Sequence, residues 1–127
     1  MNFTTSSNWP QPRGRFRSRS QPRLIPPHIR PILEETVSRV FDIDLELMHL
    51  PTRGRRRVAM ARQVAMYLAH VSCGLSLTEA GELFDRDRTT AAHACQVVEQ
   101  RRDDPDFDRA VHLLENVTKV LIYVPAD

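Results

Sequence analysis

Four consecutive side chains in the second half of the sequence have the chemistry needed to read DNA bases. Arg can bridge O6 and N7 of guanine, Asp can accept from cytosine N4, and Thr can contact a thymine methyl group. Each good base contact discriminates by about 1–3 kcal/mol. The four residues open a predicted helix and are Asp87, Arg88, Thr89 and Thr90. Double-stranded DNA is therefore the first partner to consider.

Two short predicted helices must position these side chains. Ser76 and Glu79, three residues apart, form a capping box that marks the start of the first helix. The polar residues 85–88 then make a turn, with Asp87 as the N-cap of the second helix, which runs to about Arg101. This order is that of a helix-turn-helix, in which the first residues of the second helix meet base edges in the major groove.

Two further residues of this segment carry expectations of their own. His93 lies one turn beyond the helix start on the same exposed side, where it could reach a phosphate. Gly81 lies inside the first helix at a cost of about 1 kcal/mol relative to Ala. We therefore expect another helix to approach closely at Gly81.

The rest of the chain is also helical in pattern. Three- and four-residue apolar spacing predicts helices at about 32–41, 58–72 and 107–122, with one more helical turn over 45–50. Period-2 alternation is absent at any length. We expect an all-α fold, a helix-turn-helix bundle of about five to six helices over residues 27–123. A disordered Arg/Pro/Ser-rich arm over residues 1–26 would precede it.

Positive charge is concentrated in the first part of the chain. Residues 1–75 hold 12 Arg against 5 acidic residues, and residues 76–127 hold 6 basic against 11 acidic ones. Of the 18 basic residues 17 are Arg, whose planar fork suits phosphate and guanine edges. A GC-rich genome would explain that ratio but not the clustering. The arm itself either tracks phosphates or serves as a solubilising tail.

Two other segments leave alternatives open. The acidic residues at 103–108 either complement the dipole of the last helix or form a surface that binds a partner or repels DNA. The last helix is either part of the core or part of a dimer interface.

Several segments together resemble a known family. They are ARQVAMYLA at 61–69, SLTEAGELF at 76–84 and RDRTTAAHAC at 86–95. Their order and spacing are similar to those of the C-terminal DNA-binding domain of the bacterial replication initiator DnaA, whose pattern is close to RQxAMYLxR and SLxEIGxxFGGRDHTTVxHAC. The resemblance covers roughly residues 28–101.

The resemblance implies roles for individual residues. The segment at 87–90 would read the major groove of a DnaA box, with Arg86 alongside it. Arg62 and Gln63 would contact phosphates. An arginine of the basic loop at residues 53–57 would enter the adjacent minor groove. Counting along the sequence places Gly54 at the position of the family's arginine. The candidates that would substitute for it are Arg53, Arg55, Arg56 and Arg57.

The sequence departs from the family pattern at three places. Where the family pattern has two glycines in the turn, this sequence has Asp85 alone, so its turn is one residue shorter. Met60 and Ala61 replace a proline-containing segment. Arg88 replaces a histidine, and we hypothesise that it favours a guanine where the family's histidine meets a thymine.

Other functions have little support. The chain has only four glycines and no GxxxxGK[ST] loop, so we expect no nucleotide, no ATPase activity and a stand-alone regulator. No cofactor, no catalytic arrangement and no metal site stands out. A zinc site from Cys73, Cys95, His70 and His93 is disfavoured because Cys95 is expected to face the core. We expect no membrane segment and no signal peptide, hence a cytoplasmic, nucleoid-associated protein.

Two function classes remain. The first is sequence-specific binding of double-stranded DNA, which regulates transcription or replication initiation at DnaA-box-like sites. Its further partners would be the replication initiator or a second copy of the chain. The second is a protein-interaction module that keeps the fold but has lost DNA reading. The basic loop at 53–57 favours the first class.

Overall fold

The computed structural model describes residues 25–48 and 56–123. Within these ranges the chain forms six helices and no strand, so the predicted all-α class is confirmed. The helices are α1 (Ile29–Val40), α2 (Leu45–Met48), α3 (Arg56–Val71), α4 (Leu77–Leu83), α5 (Arg88–Arg101) and α6 (Pro105–Tyr123). The predicted arm lies outside the described residues as far as residue 24.

Helix α3 is the centre of the fold, because each of the other five described helices contacts it. Its sequence predicts a stripe of four buried residues, and all four are fully buried: Ala61, Val64, Ala65 and Leu68. The buried surface is wider than that stripe and also includes Val58, Met66, Tyr67 and Ala69. A helix that is surrounded on most sides needs apolar or small residues on most sides.

Helix α6 packs on α1 and α3 and belongs to the core. Phe107, Val111 and Leu114 are buried, and the Phe107 ring centroid lies 5.9 Å from that of Phe41. The core interpretation of the last helix therefore holds for this face. The opposite face keeps large apolar residues in solvent, with Leu113 51% and Val120 63% exposed.

Helix α1 ends in an aspartate with left-handed backbone. Asp42 has φ 55°, and the N–H of Ile43 reaches back to the Ser38 carbonyl oxygen at 2.8 Å. This is the Schellman arrangement, in which glycine usually occupies the left-handed position. Asp tolerates that region better than most L-residues do, so the turn forms without glycine.

Arg102, the C-cap of α5, ties three helices together. Its Nε donates to Asp108 Oδ1 at 2.5 Å, and its Nη1 donates to Glu115 Oε2 and to the Tyr67 hydroxyl, both at 3.0 Å. The Tyr67 hydroxyl donates in turn to Glu99 at 2.9 Å. Partial burial opposes the charge, but the bonds to the two carboxylates outweigh it and raise the pKa of Arg102. One guanidinium therefore joins α3, α5 and α6.

The acidic residues at 103–108 are placed at the start of α6. Asp106 and Asp108 lie in its first turn, where carboxylates complement the helix dipole. The Asp104 carboxylate accepts from the Asp106 N–H at 3.0 Å. The structure thus accounts for Asp104, Asp106 and Asp108 by local helix stabilisation.

Candidate nucleic-acid interface

The start of α4 is fixed by its local sequence. Ser76 Oγ accepts from the Glu79 N–H at 3.0 Å, and Glu79 Oε1 accepts from the Ser76 N–H at 2.8 Å. The capping box predicted from the spacing is confirmed. It satisfies two of the N–H groups that a helix start leaves without partners.

The turn from α4 to α5 is closed by backbone contacts. Asp85 has φ 61°, and the Arg86 N–H donates to the Gly81 carbonyl oxygen at 2.8 Å, which is again a Schellman arrangement. A Cβ on Gly81 would lie 2.7 Å from the Asp87 carbonyl oxygen. The expected close approach at Gly81 is therefore confirmed, and it is made by the start of α5 together with the turn that precedes it. The turn itself folds back over the end of α4 and takes that space.

Arg30 of α1 holds this turn from outside. Its Nη1 donates to the Leu83 carbonyl oxygen at 3.1 Å and to Asp85 Oδ2 at 3.2 Å. Its guanidinium lies 5.3 Å from the Phe84 ring centroid, within cation–π range. Partial burial opposes the charge, whereas the bonds to Glu34 and Asp85 raise the pKa of Arg30. Arg30 was not among the predicted site residues, because its partners in the turn, Leu83 and Asp85, are more than 50 residues away.

The start of α5 is capped by Asp87. Its Oδ1 accepts from the Thr90 N–H at 2.8 Å, and this bond holds the pKa of Asp87 below its ordinary value. The predicted N-cap is therefore confirmed. The same carboxylate was also predicted to accept from cytosine N4. One of its oxygens already accepts the hydrogen bond that caps α5.

The structure places Arg88, Thr89 and His93 on the exposed face of the first two turns of α5, with Arg86 in the turn before it. Arg86, Arg88, Thr89 and His93 are exposed, and Thr90 is half-buried. The opposite face of α5 enters the core through Ala91, Ala94 and Val98. This division leaves the outward face of α5, the predicted recognition helix, exposed to solvent.

Gln96 extends the exposed face of α5 and was missed by the sequence analysis. It is exposed and follows Thr89 and His93 at helical spacing, seven and three residues on. Its amide has the donor and acceptor pair that recognises adenine N6 and N7. The signal that would have found it is this continuation of the i, i+4, i+7 series.

Arg62 is partly engaged inside the protein. Its guanidinium donates to the carbonyl oxygens of Leu47 at 2.8 Å and Met48 at 3.3 Å, which braces α2 against α3. Burial and then the charge of Arg86 lower the pKa of Arg62, so these two guanidinium groups lie near each other. Gln63 beside it is half-buried. Phosphate contacts by Arg62 and Gln63 stay a prediction.

Two arginines of the basic loop form the first turn of α3. Arg56 and Arg57 are exposed, and Arg57 donates to the Phe41 carbonyl oxygen. Arg53 and Arg55 lie outside the described residues. Cations at a helix N-terminus oppose its dipole and cost about 0.3–1 kcal/mol each. A phosphate bound between them would offset that cost.

The cysteines are protonated thiols at neutral pH. Burial raises the pKa of Cys73 to about 11. Burial and then Glu99 raise the pKa of Cys95, which is half-buried and packs against the core, as expected. Over the described ranges, no group of three or more His, Cys, Asp or Glu is placed to hold a metal ion. In the same residues no helix is long and apolar enough to cross a membrane.

Comparison with known proteins gives one consistent result. Residues 32–98 match the family model described as bacterial dnaA protein helix-turn-helix. The chromosomal replication initiator protein DnaA of Laribacter hongkongensis is 38% identical over 89 residues, which are 68% of this chain and 18% of that protein. The same values hold for DnaA of Azoarcus sp.. For DnaA of Burkholderia multivorans the identity is 36% over 89 residues, 68% of this chain and 17% of that protein. The chain therefore spans less than a fifth of the length of these relatives.

Proposed function

The chain belongs to the helix-turn-helix family of the bacterial DnaA protein, and from this premise we propose that it binds specific sites on double-stranded DNA through the start of α5. The observation that carries the proposal is the exposure of Arg88 and Thr89 on the first turn of a capped helix. Such residues are the ones that reach base edges in a helix-turn-helix. The turn that presents them is held by Gly81 and Arg30.

Phosphate binding complements base reading in this proposal. Burial and then the charge of Arg86 lower the pKa of Arg62, so the two guanidinium charges repel each other in the free protein. A phosphate between them would relieve that repulsion and release counterions. Gln63 and His93 would add further phosphate contacts, and the arginines at 53–57 would reach the adjacent minor groove.

Arg88 would set a base preference of its own. Its fork matches guanine O6 and N7, which a histidine ring does not match in the same bidentate way. We propose that the protein selects sites that differ from the family's box at this base pair. Arg88→His would then shift the selected base from guanine towards thymine. Recovery of the standard DnaA box by the unchanged protein would contradict this proposal.

The relatives are named as chromosomal replication initiators, which suggests the process. We propose that the chain regulates replication initiation or transcription at DnaA-box-like sites. Chromatin immunoprecipitation with sequencing would locate the sites. Enrichment at the replication origin would support the first role, and enrichment at promoters would support the second.

The binding proposal is tested by selection from random-sequence duplexes, followed by affinity measurements. Thr89→Ala should weaken binding to the selected site by about 5- to 150-fold, the range of one lost base contact. Binding to an unrelated duplex should stay unchanged. Thr78→Ala removes an exposed threonine from α4 and is the matched control. Absence of binding to any duplex at low salt would refute the proposal.

A second candidate function is protein interaction through α6. Leu113, Val120 and Leu121 are 51%, 63% and 46% exposed on the side away from the core. Such a surface suits a second copy of the chain or the replication initiator itself. Sedimentation equilibrium tests self-association, and Val120→Glu should abolish it. A flat response of DNA affinity to salt would favour this function over DNA binding.

A further inference from the structure

The exposed face of α5 continues well beyond the first turn of that helix. Thr89, His93, Gln96 and Gln100 follow one another at steps of four, three and four residues, and all four are exposed. At 3.6 residues per turn these positions lie within about 60° of one another around the helix. Recognition helices of homeodomains read the major groove from positions spaced i, i+3, i+4 and i+7. Counted from Thr89, that spacing reaches Gln96 but not Gln100.

The length of this face limits how much of it a groove can hold. The rise of the helix places Gln96 about 10 Å from Thr89 along the axis, and it places Gln100 about 17 Å away. The major groove is roughly 12 Å wide, and a straight helix leaves the curved groove after about that length. Gln96 is therefore the last position of the face that lies against bases.

The charges along α5 favour the same limit. Arg86 and Arg88 stand at its start, where the acidic residue Asp87 caps the helix. Residues 99–108, at its far end, include five acidic residues and two arginines. One of those arginines, Arg102, is bonded to two carboxylates. Phosphates are thus attracted to the start of α5 and repelled from its end, which directs the start into the groove.

The side chain of Gln96 is placed to meet a base edge. Within residues 25–48 and 56–123, no group is bonded to its amide. Helical side chains lean towards the N-terminus, so Gln96 extends over the preceding turn. Ala92 in that turn presents only a methyl group, which leaves room for a base edge beside the amide. A Gln amide matches adenine, because it donates to N7 and accepts from N6.

We infer that α5 reads DNA over two turns, and that Gln96 selects an adenine about three base pairs from the guanine that Arg88 contacts. The separation follows from the 10 Å between Thr89 and Gln96, which equals about three base-pair rises of 3.4 Å. The inference rests on the proposed function, because it requires a duplex at the start of α5. It adds a second base preference of this chain to the one at Arg88.

The test is a switch of base preference at one position. Sequences are selected from random duplexes with the unchanged protein, with Gln96→Ala and with Gln96→Arg. The unchanged protein should select adenine at the position in question, and Gln96→Ala should select no base there. Gln96→Arg should select guanine, because the arginine fork matches O6 and N7. The rest of the selected sequence should be the same for all three proteins.

Affinity measurements separate base reading from phosphate binding. On the site that the unchanged protein selects, Gln96→Ala should weaken binding by about 5- to 150-fold, the range of one lost base contact. The slope of log affinity against log salt should stay the same, because no charge is removed. The unfolding midpoint should also stay the same, because Gln96 is exposed. Equal weakening on the selected and on an unrelated duplex would overturn the inference.

Gln100 provides the matched control, since it is the same residue type one turn further along the same face. Gln100→Ala and Gln100→Arg should leave the selected sequence unchanged, and a new base preference in either would overturn the limit of two turns. An unchanged selected sequence in Gln96→Arg would overturn the inference alone, provided that Thr89→Ala still weakens specific binding. If the unchanged protein binds no duplex at all, the proposed function fails and the inference fails with it.

Discussion

Gly81 lies so close to the carbonyl oxygen of Asp87 that a Cβ at position 81 would be 2.7 Å from it. Asp87 is the N-cap of α5, so this contact joins the end of one helix of the motif to the start of the next. Both partners are backbone atoms, and neither can rotate away as a side chain can. The angle at which the recognition helix leaves the turn therefore depends on the absence of a side chain at Gly81.

Gly81→Ala is expected to destabilise the protein. Ala is the better helix former by about 1 kcal/mol, but the forced backbone shift costs about 1–3 kcal/mol. We expect a net loss of up to about 2 kcal/mol in the free energy of unfolding, measured with urea, and weaker specific DNA binding. Glu82→Ala, at the next and exposed position of α4, should change neither. Equal stability of the two variants would show that the turn can move.

Asp85 is expected to matter through its backbone. Its φ of 61° costs most L-residues about 1–2 kcal/mol, a penalty that Asp, Asn and Gly largely escape. Asp85→Ala should therefore lower the free energy of unfolding by about 1 kcal/mol. Asp85→Asn keeps the backbone preference and loses only the ion pair with Arg30, which is worth at most about 1 kcal/mol at this exposed site. Equal losses in Asp85→Asn and Asp85→Ala would assign the role to the ion pair instead, because both variants lose it.

Arg102 is expected to be the most costly surface arginine to remove. Arg102→Ala leaves Asp108 and Glu115 without their cation and the Tyr67 hydroxyl without a donor. Bonds of this kind are worth about 1.5–3 kcal/mol, so we expect a loss of about 2–4 kcal/mol in urea unfolding. Arg102→Lys should recover little, because a single ammonium cannot replace the fork. Arg109→Ala, whose partner pair is exposed, should cost less than about 1 kcal/mol.

The cap at Asp87 is expected to give a pH-dependent contribution to stability. Its pKa in the folded state is lowered by the Thr90 N–H, so the folded protein prefers the ionised form. The contribution is therefore complete above the ordinary carboxyl pKa near 4 and disappears as pH falls through the lower folded value. The difference in melting temperature between the protein and Asp87→Asn should shrink between pH 5 and pH 2. Asp103→Asn removes an exposed carboxylate that caps no helix and should show a smaller change over this range. A difference that grows with acid would contradict the assignment.

Local spacing was sufficient to predict much of the fold. The capping box at Ser76, the N-cap at Asp87 and the buried stripe of α3 all depend on residues a few positions apart. Such features follow from helix geometry alone. Arg88, Thr89 and His93 share the exposed face of α5 for the same reason, although their contacts with DNA stay predictions.

Long-range contacts could not be predicted from spacing. Arg30 and Asp85 are 55 residues apart, and Arg62 reaches Leu47 across 15 residues. These bonds exist only after α1, α2 and α3 have packed. Gly81 is a related case, since the sequence shows that room is needed but not which segment fills it.

The folded domain includes α6 and therefore extends beyond the residues that the family model matches. The family match ends at residue 98, before Arg102 and before all of α6, and it begins after Arg30. A fragment cut at those limits would lack α6, so the apolar face of α1 would be exposed to solvent. It would also lack Arg30, whose hydrogen bonds hold the turn between α4 and α5. A fusion protein that contains this helix-turn-helix should therefore include the chain from residue 25 or earlier through Tyr123.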